Sequence, residues 1–401
     1  MMKVLFILLI IFLFIALWLS IDFYLGRKKQ LMKLERKEYP FWQSSLDIFT
    51  EGPDLFDDFF SELKKAKHHI HILFYIVKDD QFSTDFFNLL KEKASEGVEV
   101  RLLLDRIGSY KVKKAAIQSL EREGIKFSFS QKPKFPFLFY TLQARNHRKI
   151  TVIDGKVGYI GGFNIGKEYI DLKPKLSPWR DYHIKMAGEG VAGLQNEFLT
   201  DWYESYKENT LTNPVYFPDL PKGQCRHKLI PSKGAFLEDT FSALIRQAKK
   251  SIFIGTPYFI PSQKLLNDLS AALNRGVSLT IIVPKVADHP LVKEASYRYL
   301  RKLLKQGAIV YEFSNGFYHA KTLIIDDEIC DVGTANFDHR SLFINYEINC
   351  YIYDHEFIEK VKKVIETDIH DSRRMTLKEL NRFNPVRTLK EWVAGLLTLF
   401  L

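Results

Sequence analysis

The apolar positions of the chain fall into three patterns, and each predicts a different element. The first is a continuous run. Val4 to Leu19 is apolar at every position, and Ser20 with Ile21 extends the run by a further half-turn. That reaches the lower end of the roughly 17–25 residues a helix needs to cross a hydrocarbon core of ~30 Å. Trp18, Phe23 and Tyr24 sit near its end, where an aromatic belt would lie. No small-x-small site follows the run; bulky Phe23, Tyr24 and Leu25 do, so an uncleaved anchor is expected rather than a signal peptide. The second pattern is a set of short runs apolar on both faces, as buried parallel strands are. Ile70 to Val77 and Val100 to Leu104 flank a helical stretch in the first half of the chain. Ile252 to Ile260 and Leu279 to Val283 do the same in the second. A second helix follows each pair, around Lys111 to Gly124 and Leu291 to Gly307. Strand, helix, strand in this order predicts parallel pairing with helical crossovers. The third pattern is a helical stripe at the C-terminus. Leu389, Trp392, Val393, Leu396, Leu397 and Phe400 share one face, widened by Leu399 and Leu401. It fits an interfacial helix and a docked helix equally.

The repeat gives the organisation. Residues 1–26 are read as the anchor, 27–45 as a basic juxtamembrane segment, 46–208 and 224–385 as two similar halves, and 386–401 as the amphipathic segment. Residues 209–223, with Pro214, Pro218 and Pro221, are the linker. The predicted fold class is α/β, two pseudo-symmetric α/β/α sandwich halves behind a transmembrane helix. Charge sets the topology: only Lys3 precedes the apolar run, whereas Arg27, Lys28, Lys29, Lys33, Arg36 and Lys37 follow it. The positive-inside rule puts the body in the cytoplasm. A net charge of +10 adds an anionic partner, nucleic acid or an anionic bilayer surface. Cys225, Cys330 and Cys350 are odd in number and form no CxxC pair, which speaks against a disulfide framework or a zinc site. His69 and His71 could share a strand face beside His68, but no fourth ligand accompanies them, and a structural role is expected.

The candidate chemistry lies in a second, tighter repeat. His147, Lys149, Asp154, Gly161 and Asn164 recur as His319, Lys321, Asp326, Gly333 and Asn336, all at one constant offset. Both copies read HxK, four residues, D, six residues, GxxN. Residues two apart on a strand share a face, so each His can converge with its Lys on one small anion. Packing of the halves would bring together two imidazoles, two ammonium groups and two amides. That set suits phosphoryl transfer, with one His attacking phosphorus and the other protonating the leaving oxygen. No carboxylate cluster of the kind that holds Mg²⁺ accompanies it, so no metal or cofactor is expected. A carboxylate should orient each His. The candidates are Asp181 in WRDYHIK, downstream of His147, and Glu347 in NYEIN, at a similar distance downstream of His319. Aligning those segments sets His183 opposite Asn349.

These residues resemble the HKD motif of the phospholipase D superfamily. The segments NHRKITVIDGKVGYIGGFNIGKEY, TPYFIPS and GTANFDHRSLFINYEIN are similar to the cardiolipin synthases of Gram-positive bacteria, in the short single-anchor form of bacilli. The resemblance implies that one motif His forms a covalent phosphatidyl-histidine while the other serves as acid and then base. His147 is taken as the nucleophile and His319 as the acid. It implies that Lys149, Lys321, Asn164 and Asn336 bind phosphate, and it counts Asp154 and Asp326 in the catalytic motif, although both suit a strand-closing turn. The implied reaction converts two phosphatidylglycerols into cardiolipin and glycerol in the membrane. Hydrolysis of phospholipids is the alternative. Nucleic acid is not expected as a partner, since tethering a nuclease to a membrane gains nothing obvious, and intact motifs argue against a silent scaffold. Phe135-Pro-Phe-Leu-Phe-Tyr140, after Lys132 and Lys134, fits an interfacial loop and a buried core segment equally.

Overall fold

A computed structural model describes residues 2–398. Phe400, Leu399 and Leu401 of the C-terminal stripe lie outside the described residues. The chain starts as one helix, Met2–Leu31, and continues into a single sheet of 16 strands. In chain order the first half supplies β1 (Trp42–Glu51), β2 (His69–Phe74), β3 (Glu99–Asp105), β4 (Lys126–Ser130), β5 (Ile150–Ile153), β6 (Val157–Gly161) and β7 (Trp179–Gly188). The second supplies β8 (Cys225–Lys233), β9 (Ser251–Gly255), β10 (Ser278–Pro284), β11 (Ile309–Phe313), β12 (Phe317–Tyr318), β13 (Thr322–Ile325), β14 (Ile329–Gly333), β15 (Tyr346–Ile352) and β16 (Ser372–Arg374).

The strand order β1-β7-β6-β5-β2-β3-β4 of the first half recurs as β8-β15-β14-β13-β9-β10-β11 in the second. The equivalent strands β1 and β8 pair antiparallel with each other, Trp42 opposite His227 and Ser44 opposite Cys225. Two strands related by a twofold axis can pair with each other across it, so the halves fuse into one continuous sheet instead of packing as separate sandwiches. The strand Trp42–Glu51 also begins inside the segment read as juxtamembrane, because Trp42, Ser44 and Leu46 bury one face of it.

Within each half, β2, β3 and β4 are parallel, as the strand-helix-strand pattern predicts. The motif strands are not: β5 pairs antiparallel with both β2 and β6. The cause is a tight hairpin with three connecting residues, since Ile153 pairs with Val157 and Ile325 with Ile329. Asp154 and Gly155 both have positive φ, 53° and 66°, between Ile153 and Lys156. Asp326 and Asp327 repeat it at 55° and 59°. Two successive residues with positive φ turn the chain sharply back on itself, so the next strand runs antiparallel. Alternate β2 residues serve two layers. Ile70, Ile72 and Phe74 face an outer core with the helices Gly52–Lys65 and Gln81–Ser95. Leu73 faces an inner core that contains the helix Val191–Tyr206 and residues of both halves. The linker crosses the first half: the Tyr216 hydroxyl donates to Glu99 at 2.6 Å.

Met2–Leu31 is the one helix among the described residues long and apolar enough to cross a membrane. It runs past the predicted boundary at Gly26 because its last turns dock on the body. Asp22 is buried and accepts the Tyr140 backbone N–H at 2.8 Å. Gly26 is required there, since a Cβ would come within 2.6 Å of Tyr140 Cβ. The aromatic segment therefore splits. Tyr140 packs under the anchor against Phe23, whereas Phe135 is 78% exposed.

Candidate active site

Each motif His is reached by a stretch of chain that crosses to the other half. Asn146 bridges to Tyr346 and the His147 N–H donates to Tyr346 O at 2.9 Å. In the second copy β12 pairs with β7, and the His319 N–H donates to Arg180 O at 2.7 Å. The residues after Tyr346 and Arg180 are Glu347 and Asp181. The crossing thus sets each imidazole against a carboxylate of the opposite half. His147 Nδ1 lies 2.9 Å from Glu347 Oε2, and His319 Nδ1 lies 2.6 Å from Asp181 Oδ2. Order along the sequence links each carboxylate to the His of its own half; the fold exchanges them. A carboxylate at Nδ1 fixes the Nδ1–H tautomer and leaves Nε2 free for chemistry.

The carboxylates are themselves held. Thr334 and Ser341 hydroxyls donate to Glu347 at 2.6 and 2.9 Å. Asp181 accepts the Tyr182 N–H at 2.8 Å and the Lys321 ammonium at 3.3 Å. Gly162 makes room for it, as a Cβ there would sit 1.9 Å from Asp181 Oδ1. The repeated glycines share a different neighbour: a Cβ on Gly161 would lie 2.5 Å from His183 Cα, and one on Gly333 2.6 Å from Asn349 Cα. His183, aligned with Asn349, is buried, and that burial brings its pKa down to about 3.

Burial dominates the electrostatics. It opposes ionisation of Glu347, but His147, Lys149 and Thr334 outweigh it and hold the carboxyl below its usual range. Burial likewise opposes ionisation of Asp181, and Lys321 with His319 outweighs it. Burial lowers the pKa of His147, and burial together with Lys321 brings that of His319 down to about 4. Lys149 falls to about 7, again through burial. Its Nζ donates to the His147 carbonyl at 2.8 Å and lies over the Tyr75 ring. Lys321 Nζ touches the His319 ring and carbonyl. Both lysines are buried and converge on the histidines, so a phosphate entering between them would meet two cationic groups in a poorly solvated space. An anion there would also raise the pKa of both imidazoles toward neutral pH.

The remaining predicted residues fall into two groups. Asn164 and Asn336 are buried near the motif strands. Asn164 Nδ2 points to the Tyr169 hydroxyl at 3.3 Å, and Asn336 Nδ2 donates to Asp338 at 3.1 Å. Asp154 and Asp326 are not at the reacting end. Four strand residues, about 13 Å of extended chain, separate each from its Lys. Asp154 accepts the N–H groups of Lys67, His68 and His69 at 2.7–2.9 Å. Asp326 does the same for Lys249, Lys250 and Ser251. They close the hairpin onto β2 and β9, in keeping with the strand-closing turn that the sequence also suited. His71 is a core residue, bonded to Gln195 and Arg101 at 2.8 and 3.1 Å. No group of three or more His, Cys, Asp or Glu among the described residues is arranged to hold a metal ion.

Sequence reasoning missed several neighbours. Tyr75 packs edge-on against His147, ring centroids 4.8 Å apart, and Trp179 and Tyr258 flank His319 at 5.0 and 6.2 Å. Arg148, between the motif His and Lys, is fully buried, with Glu197 at 2.7 Å and Asp201 at 3.1 Å. It also donates to the carbonyls of Glu347 and Ser232, tying the motif to the second half. Its counterpart is Ala320, so the repeat itself gave no signal for it.

The chain matches the family described as cardiolipin synthase, PLD-like domain, over residues 59–175 and 241–369. The minor cardiolipin synthase ClsB of Bacillus subtilis strain 168 is 41% identical, covering 100% of both chains. The major cardiolipin synthase ClsA of the same organism is 40% identical over 88% of this chain and 75% of its own. Among solved structures, phosphatidylserine synthase of Haemophilus influenzae Rd KW20 has the same fold, with TM-score 0.74 and 16% identity over 94% of this chain and 99% of that one.

Proposed function

Because the chain belongs to the family of cardiolipin synthases with phospholipase D-like domains, we propose that it transfers a phosphatidyl group between two phosphatidylglycerols at a membrane surface. The observation that carries the reading is the pair of crossed imidazole–carboxylate couples, His147 with Glu347 and His319 with Asp181, with Lys149 and Lys321 between them. His147 Nε2 attacks phosphorus. The phosphorus–oxygen bond to glycerol breaks, and His319 Nε2–H gives the leaving oxygen its proton. Lys321 against the His319 ring favours release of that proton. The hydroxyl of a second phosphatidylglycerol then attacks, His319 takes its proton, and the phosphorus–nitrogen bond breaks. Lys149, Lys321, Asn164 and Asn336 hold the phosphate. One phosphodiester replaces another, so no nucleotide is consumed and the reaction runs both ways. Excess glycerol added to cardiolipin-containing micelles should return phosphatidylglycerol, read by thin-layer chromatography. Failure of that exchange with an enzyme that makes cardiolipin forward would contradict the shared phosphatidyl-histidine.

The same reading places the N-terminus outside and the body in the cytoplasm, on an anionic bilayer surface and without nucleic acid. Six basic residues after the apolar run support it. So does the C-terminal helix Pro385–Leu396. It docks through buried Ala394 and an Arg301–Glu391 ion pair at 2.9 Å, yet Leu389, Trp392 and Leu396 are 62–68% exposed. It reaches the anchor's side of the molecule. Gly395, Leu396 and Thr398 border one cleft with His339, the His339 ring lies tilted 5.5 Å from that of Phe343, and Arg27 of the anchor lies over Phe343. Deleting residues 2–26 should therefore release the protein from bilayers only in part. Flotation with anionic vesicles at low salt checks this; a truncated protein that stays wholly unbound would contradict the secondary contacts.

A further inference from the structure

A groove of about 600 Å³ opens where the anchor meets the body. Its floor includes Asn146 and Tyr346. Each immediately precedes a residue of the reaction site, His147 and Glu347, and side chains alternate between the two faces of extended chain. The groove and the reaction site thus lie on opposite sides of one wall. The Asn146 amide confirms the direction, since it donates away from the histidines to Asp201 at 2.8 Å, and Asp201 lines the groove.

The groove collects positive charge. Lys29 and Lys33 come from the last turns of the anchor and the residues beyond, Lys132 and Lys134 from the aromatic segment, and Lys207 from the end of the helix Val191–Tyr206. None of these five has a carboxylate partner among the described residues. The two acidic groups on the rim already have partners: Asp201 has Arg148 at 3.1 Å, and Glu204 has Lys233, itself on the rim, at 2.5 Å. Five unpaired ammonium groups around one cleft repel each other until an anion enters. Several donors converging on one small volume suit a phosphate.

The surroundings select a lipid phosphate over a free one. The groove starts at Gly26, directly below exposed Leu25 and Tyr24 on the anchor. That is the depth at which a headgroup leaves the hydrocarbon. Its rim carries Phe135 and Phe137, and the Lys29 ammonium lies 5.6 Å from the Phe137 ring. Apolar side chains above and lysines below match an acyl chain above a phosphate. We propose that this groove holds one anionic phospholipid that is not turned over, seated behind the reaction site and clamped between the anchor and the body. The proposal goes beyond the phosphatidyl-transfer reading, which concerns the other face of the wall.

The test uses the full chain in detergent, with Lys29, Lys33, Lys132 and Lys134 changed to Gln singly and together. Native mass spectrometry counts phosphatidylglycerol retained after dilution from mixed micelles, and phosphatidylcholine serves as the neutral probe. Retention of the second, non-exchanging phosphatidylglycerol should weaken roughly fivefold for each lysine removed. Turnover of short-chain phosphatidylglycerol in micelles should persist, which separates this site from the reaction site. Retention unchanged in the quadruple variant would overturn the proposal, as would equal retention of phosphatidylcholine. Displacement of the lipid by inorganic phosphate at equal concentration would assign the groove to free phosphate and overturn the lipid. Should the quadruple variant fail to fold, Lys134→Glu and Phe135→Ser, both at exposed positions, give the same readout.

Discussion

Replacing His147 or His319 with alanine is expected to lower turnover by about 10⁴-fold or more in each case, with no further loss in the double variant. The two side chains act as a unit. Without the nucleophile no phosphorus–nitrogen bond forms, and without the acid the glycerol oxygen must leave as an alkoxide. The variants should differ in what they accumulate. His319→Ala retains His147 with its Glu347 partner, so a donor carrying a good leaving group, which needs no protonation, should still load His147. His147→Ala should load nothing. Intact-protein mass spectrometry after a short exposure to such a donor distinguishes them, and an adduct on His319 in His147→Ala would exchange the two roles.

Glu347→Gln and Asp181→Asn should each cost about 10³–10⁴-fold in turnover while leaving the protein folded. An amide of the same shape no longer accepts from Nδ1–H as an anion does, so it permits the tautomer with its proton on Nε2. In Glu347→Gln, Thr334 and Ser341 lose an anionic acceptor as well. The crossed geometry makes this prediction specific. Glu347→Gln should resemble His147→Ala and fail to load, although Glu347 lies in the second half with His319. Asp181→Asn should resemble His319→Ala and load from an activated donor. The reverse pattern would mean that the carboxylates serve the histidines of their own halves.

Much of this was legible because two periodicities coincided. The HxK spacing needs only that residues two apart share a strand face, and its recurrence at a constant offset, with Asp, Gly and Asn in step, made the pair of sites visible without any fold. The parallel strands β2 and β3 announced themselves as runs apolar on both faces. What stayed hidden depends on contacts between segments distant in sequence. Nothing in the spacing of Asp181 and Glu347 reveals that the chain before each histidine pairs with the opposite half, since the Asn146–Tyr346 bridge joins one half to the other. The fusion of β1 with β8 is hidden for the same reason. Asp154 and Asp326 recur as faithfully as the histidines because both copies need the same hairpin, and recurrence alone does not separate a turn from a reacting group. The C-terminal stripe could not be divided between docking and exposure until Ala394 was seen to face the body and Trp392 to face away.

The central claim is transfer to a lipid hydroxyl in competition with water at roughly 55 M, which requires that the acceptor be held at the site. The anchor and the surface it defines supply that local concentration. The direct test is to incubate the full chain with pure phosphatidylglycerol in mixed micelles and quantify every product. Cardiolipin and free glycerol in equal amounts are predicted. Phosphatidic acid as the dominant product would contradict transfer and make water the acceptor.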